Sequence, residues 1–390
     1  MGLVSYTSEN GQTLQLSKVD FINRQLVGLG RNGSRCHAVG GVSISVQSEP
    51  AEGFCYEMRQ LDAEIYMHTG TAEPVEMTTW MTMDDNYVVT ELTTASEHPI
   101  DVTVMTYANG ENKLYETTSG IREKVGQVSR RSRTEGDVRW IARAGISTRI
   151  TGTEASWEKT SSSQVTASFQ IKAGQPVCIV TYVSGSLEDD ARLPEAYDKL
   201  SSVNGPQLAL LKIEKKQWWK DMWTRSYVET NDSLLNRQYL SSIYLMASAC
   251  NLHSPVCGGM YGVWNMNDSM NYHGDIHLNY NSQAGFYSVF SANRPELAMP
   301  YYDFLEKLIP EGKRRAREEM GLVHPSLKDK SCRGLLFSVS ALGNGYLYGE
   351  YWQQTMDAPF NVSPVQLVLR IYGRPGIPAQ AGLSVYPGVW

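Results

Sequence analysis

The first 187 residues repeat with a period of two, and then that period stops. VGGVSISV (39–46), EIYMHT (64–69), IDVTVMTYA (100–108), QVTASFQI (164–171) and PVCIVTYVSG (176–185) all alternate apolar with polar side chains. DVRWIARAGI (137–146) follows the same pattern, as do VEMTTWMTM (75–83) and YVVTELTTA (87–95), which are separated by Asp84-Asp85-Asn86. Alternation puts every second side chain on one face of a strand, so each segment has a face to bury. YTSENGQTLQL (6–16) holds Asn10-Gly11 between alternating residues, a strong short-range hairpin signal. Lys172-Ala173-Gly174 joins two further strands. At least nine strands linked by short turns, with no helical period between them, predict a large antiparallel β-sandwich over 1–187.

The period changes near residue 188. LEDDARLPEAYDKLSSV is charged and helix-like, and QLALLKIEKKQWWKDMWTRSY (207–227) places Leu208, Leu211, Trp218 and Met222 on one side of a helix. These two segments make 188–230 a linker of helices. From 231 onward the chain reads as helices joined by polar, aromatic loops. Asp232 or Ser233 caps a helix whose stripe is Leu235, Tyr239, Ile243, Met246 and Cys250. Further helices are expected over 281–292, over 294–309 with a proline in the first turn, from Pro310 to near Gly321, and over 357–373.

The balance of charge narrows the partners. A formal charge of −6 argues against nucleic acid and anionic membranes. The basic runs RRSR (130–133) and KRRAR (313–317) sit among glutamates and read as solvated faces. No apolar run reaches the ~18 residues of a membrane span. No signal peptide is visible, since MGLVSY runs directly into strand-like sequence. Cysteines 36, 55, 178, 250, 257 and 332 match no zinc spacing and read as buried thiols, although Cys250 and Cys257 are near enough in sequence to bridge.

Polar chemistry concentrates in YHGDIHLNYNSQAGFY (272–287). Three readings are open. His273, Asp275 and His277 alternate, as metal ligands on one face of a strand would. The same side chains could satisfy the backbone of an irregular loop, with Asn281 or Ser282 capping the next helix. Alternatively, His277, Asn279 and Asn281 share a face and supply the paired donors and acceptors that sugar hydroxyls need. GMYGVWNMNDSMNY just upstream adds Tyr261, Trp264 and Tyr272 as stacking aromatics, and the chain is rich in such rings, with 22 Tyr and 9 Trp. Three carboxylates are candidate acids: Asp275 in the cluster, Glu350 beside Tyr351 and Trp352, and Asp357, which reads most simply as a helix cap.

The run GVWN…Y-x-x-x-I-H-L-N-Y-N-x-Q…FY…N-x-P-E-L (262–297) resembles the entry to the catalytic barrel of the six-hairpin glycosidases. It is most similar to glycoside hydrolase family 95, whose members include α-L-fucosidases and α-L-galactosidases. The resemblance implies a β-sandwich, linker helices and an (α/α)6 barrel, and makes 231–390 part of that barrel. It implies that Asn279 and Asn281 position and activate the attacking water and that His277 contacts the sugar. Trp264 falls on the family's Trp-Asn near the pocket. Tyr272, Tyr280, His273, Glu350 and Trp352 are the further expected sugar contacts, and Asp275 is a surrogate acid. The family's own acid and base lie on later barrel segments, and neither motif is matched before Trp390.

Length agrees with that gap. Twelve helices of ~11–12 residues with connections of ~4–6 need ~200 residues, against the 160 that run from Asn231. The barrel is therefore expected to be incomplete and the chain a fragment or truncated product. The expected activity is inverting hydrolysis of an α-L-fucoside-like or related sugar, with no metal and no cofactor. Carbohydrate is the partner, and neither nucleic acid nor membrane is one. The alternative is a carbohydrate-binding relative that lacks the acid and base carboxylates. Relatives of this type usually act outside the cytoplasm, in the periplasm or secreted, while this chain shows no export signal, so its location stays open.

Overall fold

The computed structural model describes residues 1–27, 31–110, 115–133, 141–186, 192–250, 254, 257–268, 270–319, 334–348 and 356–361. The chain forms two compact units. The first is Met1–Asn23, Cys36–Arg225 and Val263–Met270; the second is Arg24–Arg35, Ser226–Gly262 and Asn271–Trp390.

Two sheets build the first unit. One has the order β1 (Gly2–Ser8), β2 (Gly11–Val27), β3 (Arg31–Gln47), β8 (Ile100–Ala108), β13 (Gln164–Ile171), β12 (Ser156–Ser161). The other runs β4 (Cys55–Arg59), β5 (Glu64–His68), β6 (Val75–Met81), β7 (Tyr87–Thr94), β14 (Val177–Ser186), β11 (Arg143–Thr151), β10 (Val125–Ser132), β9 (Tyr115–Arg122). The inward residues of both sheets form one core: Leu14, Val42 and Val104 from the first meet Met77, Val88 and Ile146 from the second. Polar bonds cross the same gap, Thr79 Oγ1 donating to Gln12 Oε1 at 2.9 Å and Thr106 Oγ1 to Thr148 Oγ1 at 2.8 Å. An antiparallel sandwich is what the period-two segments predicted.

Two local differences have clear causes. Ser8 pairs with Gly11, so the first hairpin turns on Glu9 and Asn10 rather than on Asn10-Gly11. Gly11 is needed inside the sheet, where a Cβ would stand 2.3 Å from the Ile44 carbonyl oxygen. β2 and β3 each run to 17 residues, well past the alternating stretches ending at Leu16 and starting at Val39. Buried Lys18 and Asp20 interrupt the apolar pattern of β2, and they satisfy each other at 3.3 Å.

α1 (Arg192–Ser202) and α2 (Gly205–Thr224) belong to the same unit. Ala196, Leu200, Val203 and Leu208 pack on the outward residues Trp80, Tyr87, Val89, Val180 and Tyr182. Asn204 caps α2 by accepting the Gln207 N–H at 3.0 Å. The buried face of α2 is Leu208, Lys215, Trp219 and Met222, so Trp219 replaces the expected Trp218. Lys215 is 1% exposed and donates to Glu64 Oε1 at 2.8 Å. Burial pushes the Glu64 carboxyl up, but Lys215, Lys212 and Lys216 together pull it below its ordinary value.

RRSR is not a solvated face. Arg130 is fully buried, donates to both Asp268 oxygens at 2.9 and 2.7 Å, and lies 4.3 Å over the Tyr115 ring. Ser17 Oγ donates to the Val263 carbonyl at 2.5 Å. The loop Val263–Met270 is therefore fastened to the sandwich by an ion pair and a hydrogen bond. Arg315 of KRRAR is likewise buried, on the inner face of its helix. Cys250 and Cys257 are buried free thiols, and Cys55 is exposed rather than buried.

The described helices of the second unit are α3 (Ser233–Ala249), α4 (Asn281–Ser291), α5 (Met299–Glu318) and a short helix over 357–361. Asp232 caps α3, accepting from Leu234 N and Leu235 N at 2.8 and 3.2 Å. Of the expected α3 stripe only Ile243 and Cys250 are buried, and Leu235 is largely exposed. The two helices expected over 294–321 are one: after a 3-10 turn at Pro295–Ala298, α5 passes straight through Pro310. Pro310 forfeits one backbone hydrogen bond. A continuous buried face of Tyr301, Phe304, Leu305, Leu308, Gly312 and Arg315 on both sides of it holds the helix together. A small sheet, β15 (Ile276–His277), β16 (Ser340–Ala341) and β17 (Leu347–Tyr348), completes the described part. Among the described residues no helix is long and apolar enough to cross a membrane.

Candidate functional site

The polar cluster is placed by glycines and a short strand. Gly258-Gly259 packs so closely that a Cβ on Gly259 would stand 2.3 Å from the Gly274 carbonyl oxygen, and Met260 N donates to Asp275 O at 2.7 Å. A 3-10 turn, Asn271–Gly274, leads into β15, where Ile276 pairs with Ala341 and His277 with Ser340. Leu278 N then donates to Val339 O at 2.7 Å. Burial alternates as the sequence demands: Ile276 and Leu278 are buried, His277 and Asn279 half-buried. The alternation ends there. Asn281 is the exposed first residue of α4, so it is helical rather than a third residue on the His277 face.

The structure brings three of the expected residues, Asp275, His277 and Tyr272, into contact. His277 Nε2 lies 2.8 Å from Asp275 Oδ1, and Asp275 is 1% exposed. The Tyr272 ring meets His277 edge-on at 5.6 Å. Asn279 Oδ1 is buried and accepts no hydrogen bond among the described residues. Tyr272 (φ 49°) and Tyr280 (φ 132°) bracket the segment in backbone conformations that bulky residues avoid, and both side chains are exposed. Strain of this kind persists only where the surroundings hold it. Tyr280 also stacks on Phe360 at 6.4 Å.

Other expected residues are not in this cluster. Trp264 is half-buried in the Val263–Met270 loop of the first unit. Glu350 and Trp352 lie outside the described residues, as does the His273 side chain. Among the described residues no group of three or more His, Cys, Asp or Glu side chains could hold a metal ion.

Sequence reasoning missed the residues that hold the segment from behind. The Leu278 carbonyl accepts from Gln283 Nε2 at 2.6 Å and from Asn361 Nδ2 at 2.7 Å. Gln283 Oε1 accepts from Tyr280 N at 3.0 Å. The Asn361 amide also donates to Asp357 O at 2.5 Å, which brings the Asp357 backbone beside that of Leu278. Asp357 is no cap. It is fully buried, neither carboxyl oxygen accepts a hydrogen bond among the described residues, and burial pushes the carboxyl up to about 6. The available signal was the company Asp357 keeps: Met356, Ala358, Pro359 and Phe360 offer it no counter-charge.

Residues 197–338 match the family model described as the glycosyl hydrolase family 95 catalytic domain. A candidate kojibiose phosphorylase from the human microbiome has a similar structure, with TM-score 0.64 and 13% identity over 94% of this chain and 53% of that one. A bacterial glucoamylase complexed with acarbose aligns with TM-score 0.51 and 10% identity over 94% of this chain and 54% of its own. The chain thus spans about half the length of these two solved structures. A comparison with curated proteins returned no match. The shared fold is the expected one, an N-terminal antiparallel sandwich followed by an (α/α)6-type helical domain.

Proposed function

We propose, for a chain that the family match and the shared fold place in the six-hairpin glycosidase superfamily, that the His277–Asn279 segment binds a sugar and that its glycosidic bond is hydrolysed there. The sugar is α-L-fucoside-like or a related deoxy- or L-sugar, and cleavage inverts the anomeric carbon. One observation supports this most. Half-buried His277 and Asn279 offer hydrogen-bonding groups beside a backbone tied by Asn361 to the main-chain carbonyl of Asp357, whose own buried carboxyl is pushed up to about 6.

Inversion needs two carboxyls on opposite faces of the sugar, roughly 6.5–9.5 Å apart. Asp275 and Asp357 are the two buried carboxyls of this segment. Asp357 takes a proton from water as the water oxygen attacks the anomeric carbon, while Asn279 Oδ1 holds the other water hydrogen. Asp275, set against His277, returns a proton to the leaving oxygen as the glycosidic bond breaks. A base with a proton affinity near the working pH is the efficient choice. Tyr272 and Tyr280 offer exposed rings to the sugar.

Aryl α-L-fucoside, β-galactoside and α-L-rhamnoside panels test the reading. Turnover of the fucoside with the inverted anomer appearing first by proton NMR is expected, and no turnover on any member overturns hydrolysis. A second reading is sugar binding without cleavage, which the half-buried His277 and Asn279 and the exposed Tyr272 and Tyr280 rings would support by themselves. Calorimetric binding of a sugar in the absence of turnover would establish it.

A further inference from the structure

We infer that Asn361 is a positioning residue: its side-chain amide sets the spacing between the His277–Asn279 segment and the Asp357 turn, and Tyr301 fixes which way that amide faces. The inference rests on the reading of this segment as a sugar site.

Every polar group of Asn361 is committed. One Nδ2 hydrogen goes to the Leu278 carbonyl at 2.7 Å and the other to the Asp357 carbonyl at 2.5 Å. Oδ1 accepts the Tyr301 hydroxyl at 2.5 Å. An amide has two donor hydrogens on nitrogen and acceptor lone pairs on oxygen. Flipping it would turn the oxygen toward two carbonyls, where it can only repel. The Tyr301 hydroxyl supplies the donor that the oxygen needs in the observed orientation.

Tyr301 cannot easily give way. It is fully buried on α5, and its ring stacks on Phe286 of α4 at 4.7 Å and 18°. Asn361, Gln283 and Leu278 are also fully buried. The Leu278 carbonyl has two lone pairs, and Gln283 and Asn361 take both. So the backbone between the two sugar-facing side chains is held by one amide from α4 and one from the helix over 357–361. Buried networks in which each member is satisfied are rigid, and losing one member releases the rest. The segment and the Asp357 turn are far apart in sequence, and the Asn361 nitrogen hydrogen-bonds the backbone of both, beside the Tyr280–Phe360 ring stack.

Asn361→Ala and Tyr301→Phe test this, with Leu308→Ala as a control that destabilises α5 at a buried site outside the network. Misplacement of reacting groups by about 1 Å costs up to roughly 10²-fold in turnover. Asn361→Ala is expected to lower kcat on the fucoside by 10- to 100-fold with KM changed less than about threefold, and Tyr301→Phe to lower it less. Leu308→Ala, even if its melting temperature falls further, should keep kcat per folded molecule. A ligand-free readout accompanies this: the Asp357 carboxyl, followed by carbon-13 NMR, should titrate near 6 in the parent and fall toward the ordinary carboxylate range in Asn361→Ala. A parent with no turnover on any sugar defeats the hydrolase reading, and the positioning role is then decided by the titration alone. Parental kcat and parental titration in Asn361→Ala, or an equal loss in Leu308→Ala, overturn it.

Discussion

Glu64 in one unit and Asp357 in the other are both buried carboxyls, and the two are treated in opposite ways. Glu64 in the sandwich unit is met by Lys215 at 2.8 Å, with Lys212 and Lys216 at 4.0 Å, and lies below its ordinary proton affinity. Asp357 in the helical unit receives no hydrogen bond on either oxygen among the described residues, and burial drives it up to about 6. A buried charge with its counter-charge fastens one element to another. A buried carboxyl left without one keeps a cost in the fold and a usable proton near neutrality. The difference separates a joint from a candidate reaction site without reference to any relative.

Several substitutions would break or sharpen that contrast. The largest effect is expected on catalysis: Asp357→Asn should lower turnover by about 10²–10⁴-fold, the range for loss of a general acid or base. Glu64→Gln should leave turnover per folded molecule unchanged. Its own effect is on stability, because it strands the buried Lys215 ammonium. Unfolding in urea should show a loss of about 3–5 kcal/mol. The pH dependence has a sign. A carboxyl depressed in the fold contributes stability that is present above its unfolded value of 4.5 and is lost as pH falls through the lower folded value.

Asp357 has the reverse sign. Its folded value stands above the ordinary 3.8, so the native state is penalised progressively as pH rises through about 6. Asp357→Asn should therefore gain about 2–3 kcal/mol at pH 8 and nothing at pH 3. A variant that is more stable and less active at once would mark the carboxyl as functional. A loss of stability at pH 8 would put Asp357 in the same class as Glu64. The smallest effect is expected at Asn279. Its Oδ1 is one acceptor in a hydrogen-bonded site, and Asn279→Ala should weaken sugar binding about threefold to tenfold by calorimetry.

The fold was legible where local pattern and tertiary demand agree. Period-two segments became strands because a sandwich buries one face of each, and Asp232 capped α3 because its side chain needs only nearby N–H groups. The misses share a cause. Arg130 is a buried ion whose partner Asp268 lies far along the chain, and Arg315 lies on the buried face of its helix, so both basic runs read as solvent-facing. Pro310 read as a helix boundary because its neighbours' burial is invisible in one dimension. In the candidate site, the shared face of His277 and Asn279 was legible from their alternation. Asn281 was displaced because the helix begins one residue sooner than a strand through it would allow. Gln283 and Asn361 share the Leu278 carbonyl and Tyr301 donates to Asn361, and no spacing rule announces that.

Tyr280 carries a consequence for anyone who evolves this protein. At φ 132° a glycine would sit more comfortably than tyrosine, so replacing it should ease unfolding resistance upward while deleting the exposed ring beside Asn279. A library screened for heat tolerance alone would then enrich such a change and lose the exposed ring proposed to contact sugar. Selection for ligand binding in parallel would hold that residue in place, and the divergence of the two lineages at position 280 would itself record what the conformation is for.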